Sequence, residues 1–293
     1  MQFDYDHLRT LAAILDTGSF EAAAAALGIS PPAVSQRLKA LEDRVGARLV
    51  VRAAPCTATP LGARLAQHMA DVAVREAMLM PQTRSAAQAT IVVNADSLAT
   101  WVLPALSRTS LFVNLVIDDQ NHSTDMLHSG AAVAAVTARA APVQGCDVYP
   151  LGALDYVATA APEFVARHFA EGVTKDTLEA APALVFSRKD RLQADWAARE
   201  TGRPVQLHGH TIPSASAFVT ATRTGMGWGL NPEILVRDAL ASGALLALGT
   251  QPHYRTPLYW QIARHMAQPL SELTKAIAAQ ARAQLIAPDA QSR

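Results

Sequence analysis

The stretch Ser19–Arg52, SFEAAAAALGISPPAVSQRLKALEDRVGARLVVR, constrains this chain more than any other. It reads as a helix, a tight turn, a second helix and then a basic hairpin. Upstream, Leu8, Leu11, Ala12 and Leu15 recur at helical spacing and predict an amphipathic first helix that stops at Gly18. Ser19 is placed to N-cap the next helix, with Glu21 in its acid-favouring first turn. Ala22 to Ala26 give that helix a smooth surface that another helix can cross closely. Gly28, between Leu27 and Ile29, supplies the permissive backbone that a tight helix–helix turn requires. Ser30 then caps a further helix, with Pro31 and Pro32 where a missing N–H costs nothing.

On that helix Val34, Leu38, Leu41 and Val45 share a face, expected to bury against Ala23, Ala26 and Leu27. The opposite face carries Ser35, Gln36, Arg37 and Lys39. Arg reads guanine and Gln reads adenine through paired hydrogen bonds. In helix-turn-helix proteins the start of the second helix meets the bases, so Ser30, Pro32, Ser35, Gln36, Arg37 and Lys39 are the candidate DNA contacts. From Arg37 to Arg64 six cations face two acids, a local +4 in a chain of formal net charge +0. Basicity confined to one region is the footprint of a surface that meets phosphates. A merely solvated helix face would not also bring the caps and the turn with it.

The same run resembles the N-terminal domain of LysR-type transcriptional regulators. The resemblance implies a winged helix-turn-helix over residues 1–59, with a wing at Leu49–Thr59 whose Arg52 touches phosphate or the minor groove of double-stranded promoter DNA. The family usually has Phe where this chain has Val50. Thr59-Pro60 then reads as a helix start, a hydroxyl cap followed by Pro. Leu61, Leu65, Met69, Val72 and Leu79 form a roughly heptad stripe, broken by Glu76, with no stop before Pro81. A long helix with one apolar stripe usually pairs with a copy of itself; packing on its own domain is the other reading. The family uses residues 60–88 as a dimerising linker, which implies a homodimer, tetramers of such dimers, and a two-fold operator.

The remainder, residues 89–293, is too long and apolar to be a tail. At 293 residues with 50% hydrophobic side chains, the chain has room for two or three domains and a real core. No apolar run is long enough to span a bilayer. Asp4 and Asp6 leave the N-terminus without the character of a signal peptide. Cys56 and Cys146 fall in different domains, which argues against a structural disulfide and for the cytoplasm.

Strand and helix patterns alternate from Thr90. Strands are predicted at Thr90–Asn94, Val113–Ile117, Val133–Thr137, Tyr156–Ala160, Ala183–Phe186, His208–Ile212, Gly227–Leu230 and Leu258–Ile262. Helices are predicted at Trp101–Ser107, Pro162–Ala170, Leu192–Arg199, Ser216–Thr224, Pro232–Leu240 and Leu270–Leu285. Such alternation implies an α/β fold with mostly parallel sheets. Leu154–Ala160 and Leu258–Ile262 are placed to cross between two sub-sheets. That gives two lobes, lobe I at 89–160 and 264–293 and lobe II at 161–263, with a cleft where strands end.

Those strand ends carry the candidate ligand groups. Ser97 and Thr100, beside Trp101 where a helix begins, suit a carboxylate. Asp118 and Asp119 suit an ammonium or guanidinium, or are solvated turn acids. Thr137 and Ser214 are placed to line the same cleft from opposite lobes, and Asp190 is a second acid or an exposed loop residue. NADSLATW, AAVTARAAPVQGCDV, GWGLNPE and PLYWQ are similar to the lysine- and arginine-responsive (ArgP/LysG) branch of the family. That likeness implies a two-lobed, periplasmic-binding-protein-like effector domain. It implies a basic amino acid, lysine or arginine, as effector at Ser97, Thr100, Trp101, Asp118, Asp119, Thr137 and Ser214. It also implies control of amino-acid export or biosynthesis genes. The chain departs from the branch at Asp118, often Glu, and at Ala132, where an acid commonly follows Gly130.

Other signals are rejected. Gly225, Gly227 and Gly229 in GMGWGL do not make a dinucleotide fingerprint. His208 and His210 lack further ligands nearby for a metal. No local nucleophile signature marks an enzyme, and no cofactor is expected. The expectation is therefore a cytoplasmic, ligand-responsive transcription regulator, with RNA polymerase as a further partner. The competing readings are a ligand-independent DNA-binding protein, such as a replication-origin inhibitor, and an amino-acid-binding module with vestigial DNA binding.

Overall fold

The computed structural model describes residues 3–79, 88–107, 109, 111–117 and 122–287. The chain opens with α1 (Tyr5–Thr17), which starts behind the Asp4 carboxylate and ends at Gly18 in the left-handed conformation. α2 (Phe20–Leu27) is N-capped by Ser19, whose hydroxyl accepts the Ala22 N–H at 3.0 Å. α3 (Pro31–Val45) follows the turn at Gly28. Ser30 occupies its N-cap position but, contrary to expectation, its side chain makes no capping bond. The cause is local. Pro32 has no N–H to offer, and the Ala33 N–H already donates to the Ser30 carbonyl at 3.0 Å.

Leu8, Leu11, Ile14, Ala23, Ala24, Val34, Leu38 and Leu41 build one core. Ala26, expected there, is exposed; the inward stripe of this two-turn helix runs through Ala23 and Ala24 instead. A short antiparallel wing follows, β1 (Val50–Val51) against β2 (Thr57–Ala58). Buried Glu42 fastens it to α3. Its carboxylate accepts the Leu49 N–H at 2.8 Å and the Arg48 guanidinium at 3.1 Å. α4 (Pro60–Leu79) begins on the Thr59 hydroxyl, which accepts the Gly62 N–H at 3.1 Å. Helix and wing meet so closely at Gly62 that a β-carbon there would lie 1.9 Å from the Leu49 carbonyl oxygen.

Part of the α4 stripe packs within the chain itself. Leu65 and Met69 enter the core of α1–α3, with Leu61 and Val72 packed at its edge. Because α4 leaves the wing directly, its first turns cover α1. The Leu79 side chain and residues 80–87 lie outside the described residues.

The rest of the chain runs β3 (Gln88–Val93), α5 (Ala95–Thr100), α6 (Leu103–Leu106), β4 (Phe112–Ile117), α7 (His122–Ser129), β5 (Ala134–Thr137), β6 (Cys146–Ala160), α8 (Pro162–His168), α9 (Lys175–Ala180), β7 (Ala183–Val185), α10 (Leu192–Thr201), β8 (Gly209–Thr211), α11 (Ala215–Arg223), β9 (Gly229–Pro232), α12 (Glu233–Ala241), β10 (Leu246–Ala247), β11 (His253–Ala263) and α13 (Ser271–Gln284). The main sheet has the order β10-β6-β11-β5-β3-β4, with β9 also on β6, while β7 and β8 pair separately. The expectation of mostly parallel pairing fails. β3–β5 and β7–β8 are parallel, but β6–β11, β11–β5, β6–β9 and β10–β6 are antiparallel. β6 and β11 are long and pair from Cys146↔Ala263 to Val157↔His253, with a register shift at Leu258/Tyr259. They thereby join the β3–β5 region to the β9–β10 region, as the crossing strands predicted at Leu154–Ala160 and Leu258–Ile262 require.

Trp101, Trp196, Trp228 and Trp260 are all fully buried. Trp196 and Trp228 pack with ring centroids 5.2 Å apart, a pairing worth roughly 1 kcal/mol beyond area burial. Buried Gln261 ties down the loop after β5: its amide donates to the Arg139 and Ala141 carbonyls and accepts the Val143 N–H. Two compact units emerge: Met1–Thr90 with Ser110–Asn114 and Met126–Val133, and Ile91–Thr109 with Leu115–Asp125 and Ala134–Arg293. Among the described residues no helix is long and apolar enough to cross a membrane.

Candidate functional site

In the first unit the α3 surface and the wing face a shared groove. Ser35, Gln36 and Lys39 line one side, Arg48, Val50 and Arg52 the other. The Arg52 guanidinium lies 4.9 Å from the centre of the Phe20 ring, a cation–π contact that steadies an otherwise exposed side chain. Ser30 and Pro32 are exposed at the start of α3, outside this groove. Arg37 departs from its predicted companions. It is half-buried one step round the helix, with its guanidinium 3.8 Å from the Asp6 carboxylate. Arg48 was not singled out in the sequence. Its role as a groove residue depends on Glu42 reaching back from α3.

In the second unit a cavity of about 110 Å³ is lined by Asn94, Ala95 and Asp96 at the start of α5 and by Tyr156 of β6. Phe186, Ser187, Lys189, Asp190, Leu192, Gln193, Ala215, Phe218 and Leu230 to Pro232 complete most of its wall. A single water needs about 10–15 Å³ by this measure, so a guest the size of an amino acid is within its reach. The polar wall is dominated by acceptors. The Asp96 carboxylate accepts the Tyr156 hydroxyl at 2.7 Å. Burial pushes the Asp96 carboxyl above its ordinary range; the Tyr156 bond opposes this and the Asp190 charge adds to it. Burial, with the Asp96 carboxylate, raises Tyr156 well above the usual tyrosine value. Asp190 is held by the Phe186 N–H at 2.9 Å and the Leu192 N–H at 3.0 Å. Gln193 Oε1 and Asn231 Oδ1 are buried without a hydrogen-bond partner. Among the described lining residues Lys189 is the one cation.

Of the sequence-derived ligand residues Asp190 lines this cavity, while Ser97, Thr100, Trp101, Thr137 and Ser214 do not. Ser97 is fully buried with its backbone N–H on the Asn94 side chain, and its own hydroxyl has no partner. The Thr100 hydroxyl turns back onto the Asp96 carbonyl at 2.6 Å. Trp101 belongs to the core. Thr137 is buried and accepts the Arg139 N–H at 3.2 Å. Ser214 caps α11, one residue from Ala215 in the cavity wall. Asp118 and Asp119 lie outside the described residues. Asp96, Tyr156, Gln193 and Asn231 were missed as a set because they come from four distant segments. A local signal existed for Asn231 alone, an amide in an otherwise buried strand, where Asn is disfavoured.

His208 and His210 are exposed, and no group of three metal-binding side chains occurs among the described residues. Cys56 and Cys146 are both free thiols; burial pushes the Cys146 thiol up, which disfavours its reactive thiolate.

A recognition helix with a basic wing, followed by an α/β unit with a cavity that carries an acidic wall, defines a ligand-binding DNA regulator. The model "Bacterial regulatory helix-turn-helix protein, lysR family" matches residues 5–63, and "LysR substrate binding domain" matches residues 89–286. The chain belongs to the LysR family and is a DNA-binding transcription regulator, not an enzyme. It is 39% identical over 266 residues to the HTH-type transcriptional regulator LysG of Mycobacterium bovis, covering 89% of this chain and 88% of that one. It is similar to the crystal structure of ArgP from Mycobacterium tuberculosis, at TM-score 0.84 and 37% identity over 98% of this chain and all of that one. Full-length LysG from Corynebacterium glutamicum with bound effector Arg matches at TM-score 0.69 and 35% identity, over 97% of this chain and 100% of that one.

Proposed function

We propose that this regulator is controlled by a basic amino acid, lysine or arginine, held in the cavity beside Asp96. The observation that carries the reading is the half-buried Asp96 carboxylate, raised by desolvation and facing a cavity with few cations. A buried charge is costly unless paired, and a cationic guest supplies the pair. Perturbed carboxylates in clefts mark functional sites more often than structural ones. Asp190 adds a second negative group, while Lys189 and the first turn of α11 suit the ligand's carboxylate. The relative with bound Arg supports the same ligand class. Ser97 and Ser214, each next in sequence to a wall residue, are proposed to join the site when it closes; Thr100, Trp101, Asp118, Asp119 and Thr137 remain the family-derived part of the reading.

On the DNA side, we place Ser35, Gln36, Lys39 and Arg52 at the duplex, with Arg37, Ser30 and Pro32 at its margin. Residues 1–59, 60–88 and 89–293 act as reader, linker and sensor. Self-association is part of this reading. The sheet-edge strand β4 carries Phe112 and Ile117, 61% and 55% exposed, and exposed apolar edges favour pairing. Cytoplasmic action on export or biosynthesis genes and contact with RNA polymerase follow from the same reading.

Isothermal titration of the full chain with each common amino acid tests it. Selective binding of lysine or arginine, weakened in Asp96→Asn, is expected. A protein that binds neither discards the basic-amino-acid reading and leaves the DNA regulator.

A further inference from the structure

We infer that Asn231, with Gln193 beside it in the cavity wall, is the specificity-determining acceptor that selects a guest bearing N–H donors over an apolar isostere. The inference rests on the basic-amino-acid reading and goes one step further, by naming how the uncharged part of the wall discriminates.

Asn231 is fully buried on β9. Its amide nitrogen has two N–H donors, and both are spent: one bonds the Thr159 hydroxyl at 2.9 Å, the other the Thr222 hydroxyl at 3.1 Å. Thr222 is itself fixed, its hydroxyl donating to the Phe218 carbonyl at 2.9 Å. A flipped amide would put a carbonyl where two donors now sit, so the orientation is set by the network. The carbonyl oxygen Oδ1 is left buried and unpartnered on a residue that lines the cavity. It can only accept. Gln193, 2% exposed on α10 and also a lining residue, carries a second orphan carbonyl oxygen.

A buried acceptor with no partner is unfavourable until something donates to it. A guanidinium brings five N–H donors and an ammonium three, so a guest that pairs with a carboxylate through one or two of them keeps donors for these oxygens. An apolar side chain of the same length satisfies neither oxygen. Sites built on buried polar groups reject guests that lack the matching group far more strongly than hydrophobic pockets reject a misfit. Thr159 and Thr222 are positioning residues here; they act through the amide and do not touch the guest.

The experiment titrates the full chain with L-arginine, L-lysine and L-norleucine, the last being lysine without its amine. Wild type is expected to prefer the cationic amino acid over norleucine by at least a hundredfold. Asn231→Leu and, independently, Gln193→Leu should each weaken the cationic ligand roughly tenfold or more while leaving norleucine equal or tighter. Thr222→Val should narrow the ratio in the same direction by a smaller factor. Gln193→Leu lies on another element, so it keeps the test open if Asn231→Leu fails to fold. Variants that weaken both ligands equally, or keep the wild-type ratio, overturn the inference alone. A wild type that binds neither lysine nor arginine overturns the basic-amino-acid reading, and this inference with it.

Discussion

Asp96 shows how one desolvated carboxylate sets the behaviour of a cavity. Desolvation raises its pKa above the usual 3.8, so the folded protein favours the protonated form. Its contribution to ligand-free stability is therefore fully present below 3.8 and declines as pH rises through the raised value. A cationic guest needs the opposite state. Affinity for lysine or arginine should accordingly climb with pH over that same interval and then level off. In Asp96→Asn the affinity should be at least roughly tenfold lower and flat over that interval. The ligand-free variant should be the more stable protein at neutral pH, an advantage that fades in acid. Calorimetric titrations and thermal melts across the pH series check both signs. Had Asp96 been paired with a protein cation, as half-buried Glu233 is with Arg237, the pH dependence would run the other way.

The wing depends on two close approaches at its ends, and each makes a prediction. Gly62→Ala drives a β-carbon into the Leu49 carbonyl and must push α4 off the wing; a loss of at least about 1–3 kcal/mol in unfolding free energy is expected from overpacking. Glu42→Ala leaves the buried Leu49 N–H unpaired, costing about 1–3 kcal/mol, and frees Arg48 from its place in the groove. DNA affinity should fall with it. Denaturant melts and DNA titrations measure the two effects separately. Much of this region was legible in the sequence because its signals are local: Ser19, Gly18, Gly28 and Thr59 act within a few residues of themselves. What was not legible was tertiary. The α4 stripe looked the same whether it faced a second copy or its own core. α9 escaped notice because its capping box uses Thr174 with Thr177, not the Glu or Gln that usually announces one.

Across the chain, function divides between a surface that meets phosphates and a cavity that accepts N–H donors. The division makes them separable. Lys39→Ala or Arg52→Ala should weaken duplex binding across sequences and lower the log–log salt slope by about 0.9 for each phosphate no longer neutralised, without changing amino-acid binding by the protein free of DNA. The strand–helix alternation revealed the α/β class and most elements, yet it pointed to parallel sheets because the lengths of β6 and β11 were hidden. Tyr149, exposed on the first half of β6, breaks no apolar run that could have betrayed the strand's full extent. The cavity was less legible still. Asp96, Asp190, Gln193 and Asn231 are spread over more than a hundred positions, and only the fold brings them to one wall. Local reading found the neighbours Ser97 and Ser214 instead, whose capping patterns are visible along the chain.

One titration decides the account: L-arginine and L-lysine into the full-length wild type and into Asp96→Asn, at neutral pH. The account predicts saturable binding of at least one of them by wild type and a loss of roughly tenfold or more in the variant. Equal binding by both proteins, or no binding of either amino acid by wild type, would contradict it.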